Sequence, residues 1–166
     1  IHATPIIEEG SMSLAVGDYA PAISIDHWVK GGAIDSFENG QVYVMEFWAT
    51  WCGPCRLEIP DFNALYQTYK KQGFEILGIS TDDSKDQLMN FINAYNVFYP
   101  ILYEDRITMS KLQMEYGVFS IPLSILINKK GEIIRIYQGA ILKQFDPRKY
   151  TDLVIQIENA LITNEE

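Results

Sequence analysis

Val42-Tyr43-Val44-Met45-Glu46-Phe47-Trp48-Ala49-Thr50-Trp51-Cys52-Gly53-Pro54-Cys55 is the stretch on which the fold turns. From Val42 to Ala49 every residue but Glu46 is apolar, and most are β-branched or aromatic, the composition of a central strand covered on both faces. Gly53 to Lys71 then has helical spacing, which places Leu57, Phe62, Leu65 and Tyr69 on its inner side. Pro60 should kink that helix and Gly73 should end it. Cys52 therefore falls where a buried strand gives way to the first turn of a helix.

Working outward, Phe74 to Ser80 reads as a second buried strand. Asp83 or Ser84 caps a helix running to about Tyr95, with Leu88, Phe91 and Ile92 inward. Pro100 to Tyr103 reads as a short strand and Ser110 to Tyr116 as a short helix. Leu123 to Asn128 and Glu132 to Gln138 read as antiparallel partners across the turn Lys129-Lys130-Gly131. Asp146 caps a last helix, with Pro147 at its first position, running to about Ile162. On the upstream side, Ile23 to Trp28 alternates as a strand, and Ala33 to Phe37 reads as its hairpin partner. The fold class is therefore α/β: a central mixed sheet flanked by helices, with an N-terminal hairpin and a central helix–strand insertion. Residues 1–15 are expected to be a flexible lead, 16–162 one domain and 163–166 a frayed tail.

Composition narrows the function. The chain has 166 residues, 48% of them hydrophobic and 21% charged, which suits a folded domain and argues against disorder. With 22 acidic against 13 basic residues the net charge is −9, and an acidic surface repels phosphate backbones, so nucleic acid is excluded as a partner. No apolar run of about 18 residues is present to span a membrane. The only two cysteines are Cys52 and Cys55, too few for a disulfide scaffold or a four-ligand zinc site, and neither His2 nor His27 has finger-like spacing. No metal and no cofactor is expected.

A thiol attacks as its thiolate, and an ordinary cysteine with a pKa of about 8.5 is mostly protonated at neutral pH. Cys52 sits where unpaired backbone N–H groups and the positive end of a helix dipole stabilise an anion. Gly53 imposes no Cβ, and Pro54 has no N–H to leave unpaired. Cys55 is one turn along, close enough to close a small disulfide ring and resolve a mixed disulfide. A bare pair of cysteines at this spacing is weak evidence, but a strand–Trp-Cys-Gly-Pro-Cys–helix context points to redox chemistry.

Glu46 through Pro60 resembles the active-site stretch of the thioredoxin superfamily, and more narrowly its TlpA/ResA-like, or redoxin, branch. Val16-Gly17-Asp18-Tyr19-Ala20-Pro21 resembles the opening of the redoxin group, and Gly117-Val118-Phe119-Ser120-Ile121-Pro122 its segment ending in proline. The resemblance covers about residues 16–162 and implies a thioredoxin fold. It implies a cis bond between Ile121 and Pro122, packed against the cysteine pair, with the Ile121 backbone offered to a bound peptide; a plain trans proline at the start of a strand is the other reading. It implies that Glu46, six residues before Cys52, takes the proton of Cys55. Burial would raise the pKa of such a carboxyl; the alternative is an edge Glu reaching solvent. The lysine that often accompanies this acid aligns with Gly78. Glu58, three residues after Cys55, has a counterpart in ResA-like active sites, though a solvated acid early in a helix reads equally well. Trp51 should cover the disulfide and, with Gly53 and Pro54, form the substrate surface. Leu123 stands where the family commonly has Thr. The region from Asp83 to about Tyr116 resembles the extra helix–strand unit of that branch and should shape partner choice.

The activity so implied is a thiol–disulfide oxidoreductase, a reductant of protein disulfides served by an upstream electron donor or acceptor, and a monomer. Two other functional classes fit the sequence less well. A peroxiredoxin-like thiol peroxidase wants a Pro and a Thr or Ser ahead of the reactive Cys and an Arg for the peroxide, whereas Glu46, Trp48, Ala49 and Thr50 occupy that region here. A non-enzymatic docking module needs neither cysteine. The resemblance implies work outside the bacterial cytoplasm, in the periplasm or cell envelope, after removal of a signal. Residues 1–13 read partly as a processed end or a cloning remnant, and Met12 as a native start would instead imply the cytoplasm.

Overall fold

The computed structural model describes residues 14–23, 28–31, 34, 36–103 and 113–163. The expected flexible lead up to Ser13 and the tail from Asn164 lie outside them, as do most of the strand expected at Ile23–Trp28 and the start of the helix expected at Ser110. In chain order the elements are β1 (Trp28–Lys30), β2 (Val42–Trp48), α1 (Gly53–Tyr69), a 3₁₀ turn (Lys70–Gln72), β3 (Phe74–Ser80), α2 (Lys85–Ala94), β4 (Ile101–Tyr103), β5 (Leu123–Ile127), β6 (Ile133–Gln138) and α3 (Pro147–Ile162).

Six strands form one sheet in the order β1-β4-β3-β2-β5-β6. β2 is parallel to β3 and antiparallel to β5, β3 is parallel to β4, and β6 runs antiparallel to β5. All seven residues of β2 are buried, as a central strand with both faces covered requires. The two faces of β2 feed separate cores. Val42, Val44 and Trp48 join the inner sides of α1, α2 and α3, including Phe62, Leu65, Leu88, Leu153 and Ile157. Tyr43, Met45 and Phe47 meet Leu77, Ile79, Leu123, Ile125, Tyr116 and Val118 on the opposite face. Each fully buried Leu or Ile of these clusters contributes about 1.5–3 kcal/mol.

The helix ends follow their sequence signals. Ser84 accepts the Gln87 N–H at the start of α2, and Asp146 accepts the Lys149 N–H at the start of α3. Gly73 takes φ +97°, the left-handed turn that ends the α1 unit. Pro60 lies inside α1, and the helix continues through it.

Three expectations need revision. β1 pairs with β4, Trp28 opposite Leu102, so its partner comes from the insertion and not from a hairpin. Of the expected partner Ala33–Phe37, the described residues Ile34, Ser36 and Phe37 are not in a strand, and the Phe37 side chain is core. A three-residue strand follows whichever sheet edge is open, and the insertion supplies that edge. Leu57 is 59% exposed and points away from the core, while its neighbour Glu58 is fully buried. Periodicity assigned the inward position to the apolar residue; the helix gives it to the acid.

Candidate active site

Cys52 is the N-cap of α1, in extended conformation, and Pro54 occupies the first turn. The two cysteines are joined as a disulfide with Cα atoms 5.2 Å apart. Cys52 Sγ also accepts the Cys55 N–H at 3.2 Å, so an amide that would be orphaned at the helix start is directed at this sulfur. A negative charge developing on Cys52 meets that donor and the positive end of the helix dipole.

The disulfide opens onto a groove of about 730 Å³. Trp51, Cys52, Gly53 and Pro54 form one bank, and Val118, Phe119, Ser120 and Ile121 the other, with Thr81 and Gln113 between them. Trp51 is 60% exposed and Phe119 82%, so both banks offer an aromatic ring to solvent. The Ile121–Pro122 bond is cis. Gln138 and Gly139 fix this bank: Gly139 N–H donates to Pro122 O at 2.9 Å and Gln138 Nε2 to Ser120 Oγ at 2.8 Å. Trp51, Cys52, Gly53, Pro54 and Ile121 thus share one groove, whereas Cys55, Glu46 and Glu58 are buried and take no part in its lining.

Glu46 is 1% exposed on β2 and Glu58 is 0% exposed on the inner face of α1, one turn beyond Cys55. Neither is the solvated acid of the plainer readings. Tyr99 Oη donates to Glu46 Oε1 at 3.2 Å, and the Ile141 N–H donates to Glu58 Oε2 at 2.6 Å. Glu46 Oε2 and Glu58 Oε1 have no other donor. A proton shared between the two carboxyls, with Glu58 donating to Glu46, would give both atoms a partner. Burial pushes Glu58 far above the ordinary carboxyl range, and the neighbouring Glu46 charge pushes it further; the Ile141 amide and the Lys149 charge oppose the rise. Burial also raises Glu46, against the hydrogen bonds from Glu58 and Tyr99. The two titrate as a unit. Burial and the same two carboxyls hold the Tyr99 phenol well above its usual range.

Gly78 lies beside Glu46 in the parallel register of β2 and β3. A Cβ there would stand 3.0 Å from Trp48 Nε1 and 3.3 Å from the Tyr99 ring, so no lysine fits while these side chains fill the space. The strand neighbour of the acid is therefore empty of charge.

Sequence reasoning missed a third buried carboxyl. Asp82, just past β3, is fully buried. It accepts Thr50 N–H at 3.0 and 3.1 Å to its two oxygens, the Thr50 hydroxyl at 2.6 Å and the Ser80 hydroxyl at 2.8 Å. Thr81 N–H and its hydroxyl bond to Trp48 O at 2.8 and 3.2 Å. This network clamps the turn that presents Trp51 and Cys52. Ser80 reads as the end of a strand and Asp83 or Ser84 as a helix cap, and nothing local to Asp82 signals a bond to Thr50. Tyr99, Ile141 and Lys149 were missed for the same reason: each reaches the carboxyl pair from a distant segment.

Comparison with known proteins agrees with this arrangement. The model of the AhpC/TSA family matches residues 16–136. The thiol–disulfide oxidoreductase ResA of Geobacillus kaustophilus is 32% identical over 132 residues, 80% of this chain and 74% of that protein. ResA of Halalkalibacterium halodurans is 31% identical over 117 residues, 70% of this chain and 65% of that protein. The chain thus spans slightly less than two thirds of the length of the latter, and about 60% of ResA from Bacillus anthracis. Among solved structures, a protein described as a putative thiol:disulfide interchange protein DsbE from Chlorobium tepidum superposes with a TM-score of 0.76 at 30% identity, covering 90% of this chain and 99% of that one. StoA from Bacillus subtilis gives 0.65 at 25% identity, over 80% and 99%. These likenesses bear out the thioredoxin fold. The family match runs from the N-terminal segment through the cysteine pair and the cis-proline bank into β6, and so the chain belongs to the AhpC/TSA family, with its similarity to the ResA thiol–disulfide oxidoreductases.

Proposed function

We propose that this chain is a thiol–disulfide oxidoreductase that reduces disulfides of protein substrates through Cys52 and Cys55. The observation that carries the reading is the disulfide itself: it caps a helix and opens on a groove with two exposed aromatic banks, and the buried Glu58 lies one helical turn beyond Cys55. In the cycle, the Cys52 thiolate attacks a substrate disulfide. A Cys52–substrate mixed disulfide forms, and the first substrate sulfur leaves as a thiolate that takes a proton from water. Cys55 then gives its proton to the Glu46–Glu58 pair and attacks Cys52 Sγ. The second substrate sulfur leaves as a thiolate that takes up the proton held by the pair, and the Cys52–Cys55 disulfide remains. A dithiol donor upstream returns two electrons and two protons to this disulfide.

In this reading Cys52 is the nucleophile and Cys55 the resolving thiol. Glu46 and Glu58 together are the proton acceptor, with neither acid acting alone. Trp51, Gly53, Pro54, Ile121 and Pro122 hold the substrate chain, Ile121 through its backbone. The reaction takes place outside the bacterial cytoplasm, a placement supported by the likeness to ResA. No helix among the described residues is long and apolar enough to cross a membrane.

The test is substrate reduction by the isolated chain supplied with a dithiol. Cys52→Ser abolishes turnover, and Cys55→Ala accumulates covalent substrate adducts at Cys52. A Cys52→Ser variant that reduces substrate at the unaltered rate sinks the proposal. As a reductant the couple should have a potential near the thioredoxin value of about −270 mV; one near about −120 mV, the strongly oxidising class, reverses the direction.

A further inference from the structure

Lys149 is out of place by local rules. It stands in the first turn of α3, where a cation opposes the positive end of the helix dipole. Its predecessors Pro147 and Arg148 are exposed, whereas Lys149 is half-buried. Its side chain does not leave for solvent. The ammonium folds back and donates to Gln138 O at 2.5 Å and to Ala140 O at 3.3 Å. Between these two carbonyls lies Gly139, at φ +84°, where a Cβ would stand 3.4 Å from Lys149 Nζ. The glycine gives the left-handed turn and the open face against which the ammonium rests.

The next residue, Ile141, supplies the backbone amide that donates to Glu58 at 2.6 Å. Lys149 therefore pins, from both sides of Gly139, the turn that holds Glu58. Other charged groups in this region point elsewhere. Asp61 accepts the Lys143 amide at 2.9 Å, and the Lys143 ammonium lies over the Tyr150 ring. Tyr99, from the segment before β4, donates to Glu46, and the Lys149 charge reaches Glu58 from α3. Gly78 contributes no charge from β3.

We propose that Lys149 is a positioning residue that governs proton release from the Glu46–Glu58 pair, holding the Ile141 amide on Glu58 and supplying, from α3, the positive charge absent from the strand beside Glu46. The electrostatics agree, since the Lys149 charge opposes the effect of burial on Glu58. The catalytic meaning of this charge rests on the proton-acceptor reading above; the hold on the pair does not.

The test titrates the oxidised protein with its glutamates labelled at the carboxyl carbon, followed by NMR, in Lys149→Met, Lys149→Gln and Lys149→Arg. Loss of the charge should move the Glu58 midpoint upward by roughly half a unit or more, the scale of one charge acting through a partly screened medium. Lys149→Arg should restore it. Lys149→Gln keeps a donor for the two carbonyls, so it serves if Lys149→Met does not fold, and it separates pinning from charge. An unmoved midpoint in Lys149→Gln and Lys149→Met overturns the inference. Resolution of the Cys52 mixed disulfide is then timed in Glu58→Gln. If Glu58→Gln resolves it at the unaltered rate while the Lys149 variants still shift the midpoint, the proton-acceptor reading falls and the role of Lys149 stands. If Glu58→Gln slows resolution and the midpoint is unmoved, Lys149 falls and the acceptor reading stands.

Discussion

Two buried carboxyl sites flank the cysteine turn, and they are built in opposite ways. At Asp82 both oxygens are taken by donors: the Thr50 amide, the Thr50 hydroxyl and the Ser80 hydroxyl. At Glu46 and Glu58 each carboxyl has one external donor and one oxygen with none. Burial is the same at both sites. The supply of donors is what differs, and it decides what a buried acid does. Where donors suffice, the carboxyl is a fixed tie between segments. Where they fall short, burial favours the protonated acid, and a proton held this way can be exchanged with a neighbour. One site ties the cysteine turn in place; the other is the proton acceptor we propose for its chemistry.

The contrast is most easily broken at the tie. Asp82→Ala leaves the Thr50 amide and two hydroxyls buried without an acceptor, at about 1–3 kcal/mol for each orphaned group. We expect a loss of at least about 3 kcal/mol in denaturant unfolding, with the pH midpoint of mixed-disulfide resolution unmoved. A variant as stable as the parent would mean that the network does not bear on the fold.

Glu58→Gln tests the other half. The amide keeps an acceptor for Ile141 and a donor for Glu46 but cannot accept the Cys55 proton. Resolution should slow by about 10²-fold, the lower end of general-base contributions. Stability in neutral buffer should hold or rise, because the amide donates to the Glu46 carboxylate without a proton having to be taken up on folding. A large loss of stability with unaltered kinetics would make this site a tie like Asp82.

The pH dependence of stability separates the sites further. The Glu58 carboxyl is raised in the folded state above its ordinary value of 4.5. The stability linked to its proton is therefore fully present below about pH 4.5 and is lost as pH rises toward the folded value. Between these limits the folded chain carries the extra proton, so unfolding free energy should fall by about 1.4 kcal/mol per pH unit for one proton. The Glu46→Gln/Glu58→Gln double variant should flatten that slope, and calorimetry across pH 4.5–8 would read it.

The smallest effect is expected at the groove. Trp51→Ala removes an exposed ring that lines the groove with Cys52 and leaves both carboxyl sites intact. The Michaelis constant for a protein disulfide should rise about tenfold, the equivalent of about 1.4 kcal/mol of lost contact. The rate with a small disulfide should change little, and an equal loss on both would give Trp51 a role at the sulfur itself.

Much of this site was legible along the chain. β3, α3 and the caps at Ser84 and Asp146 follow apolar periodicity and side-chain capping, which act within a turn or two of sequence. The placement of Cys52 at a helix start follows the same local rules, and with it the anion-stabilising environment of its sulfur. These features were set by sequence alone, because neighbouring residues create them. Tertiary structure decided which acids are buried, what satisfies them and where the missing charge comes from. Glu58 displaces Leu57 from the inner face because Glu46 and the Ile141 amide await it there. Gly78 is glycine because Trp48 and Tyr99 fill the space beside Glu46. Lys149 reaches the site from the last helix across Gly139. A period in the sequence tells which residues share a face, but a buried polar group is stabilised by whatever faces it, and those partners meet only when distant segments fold together.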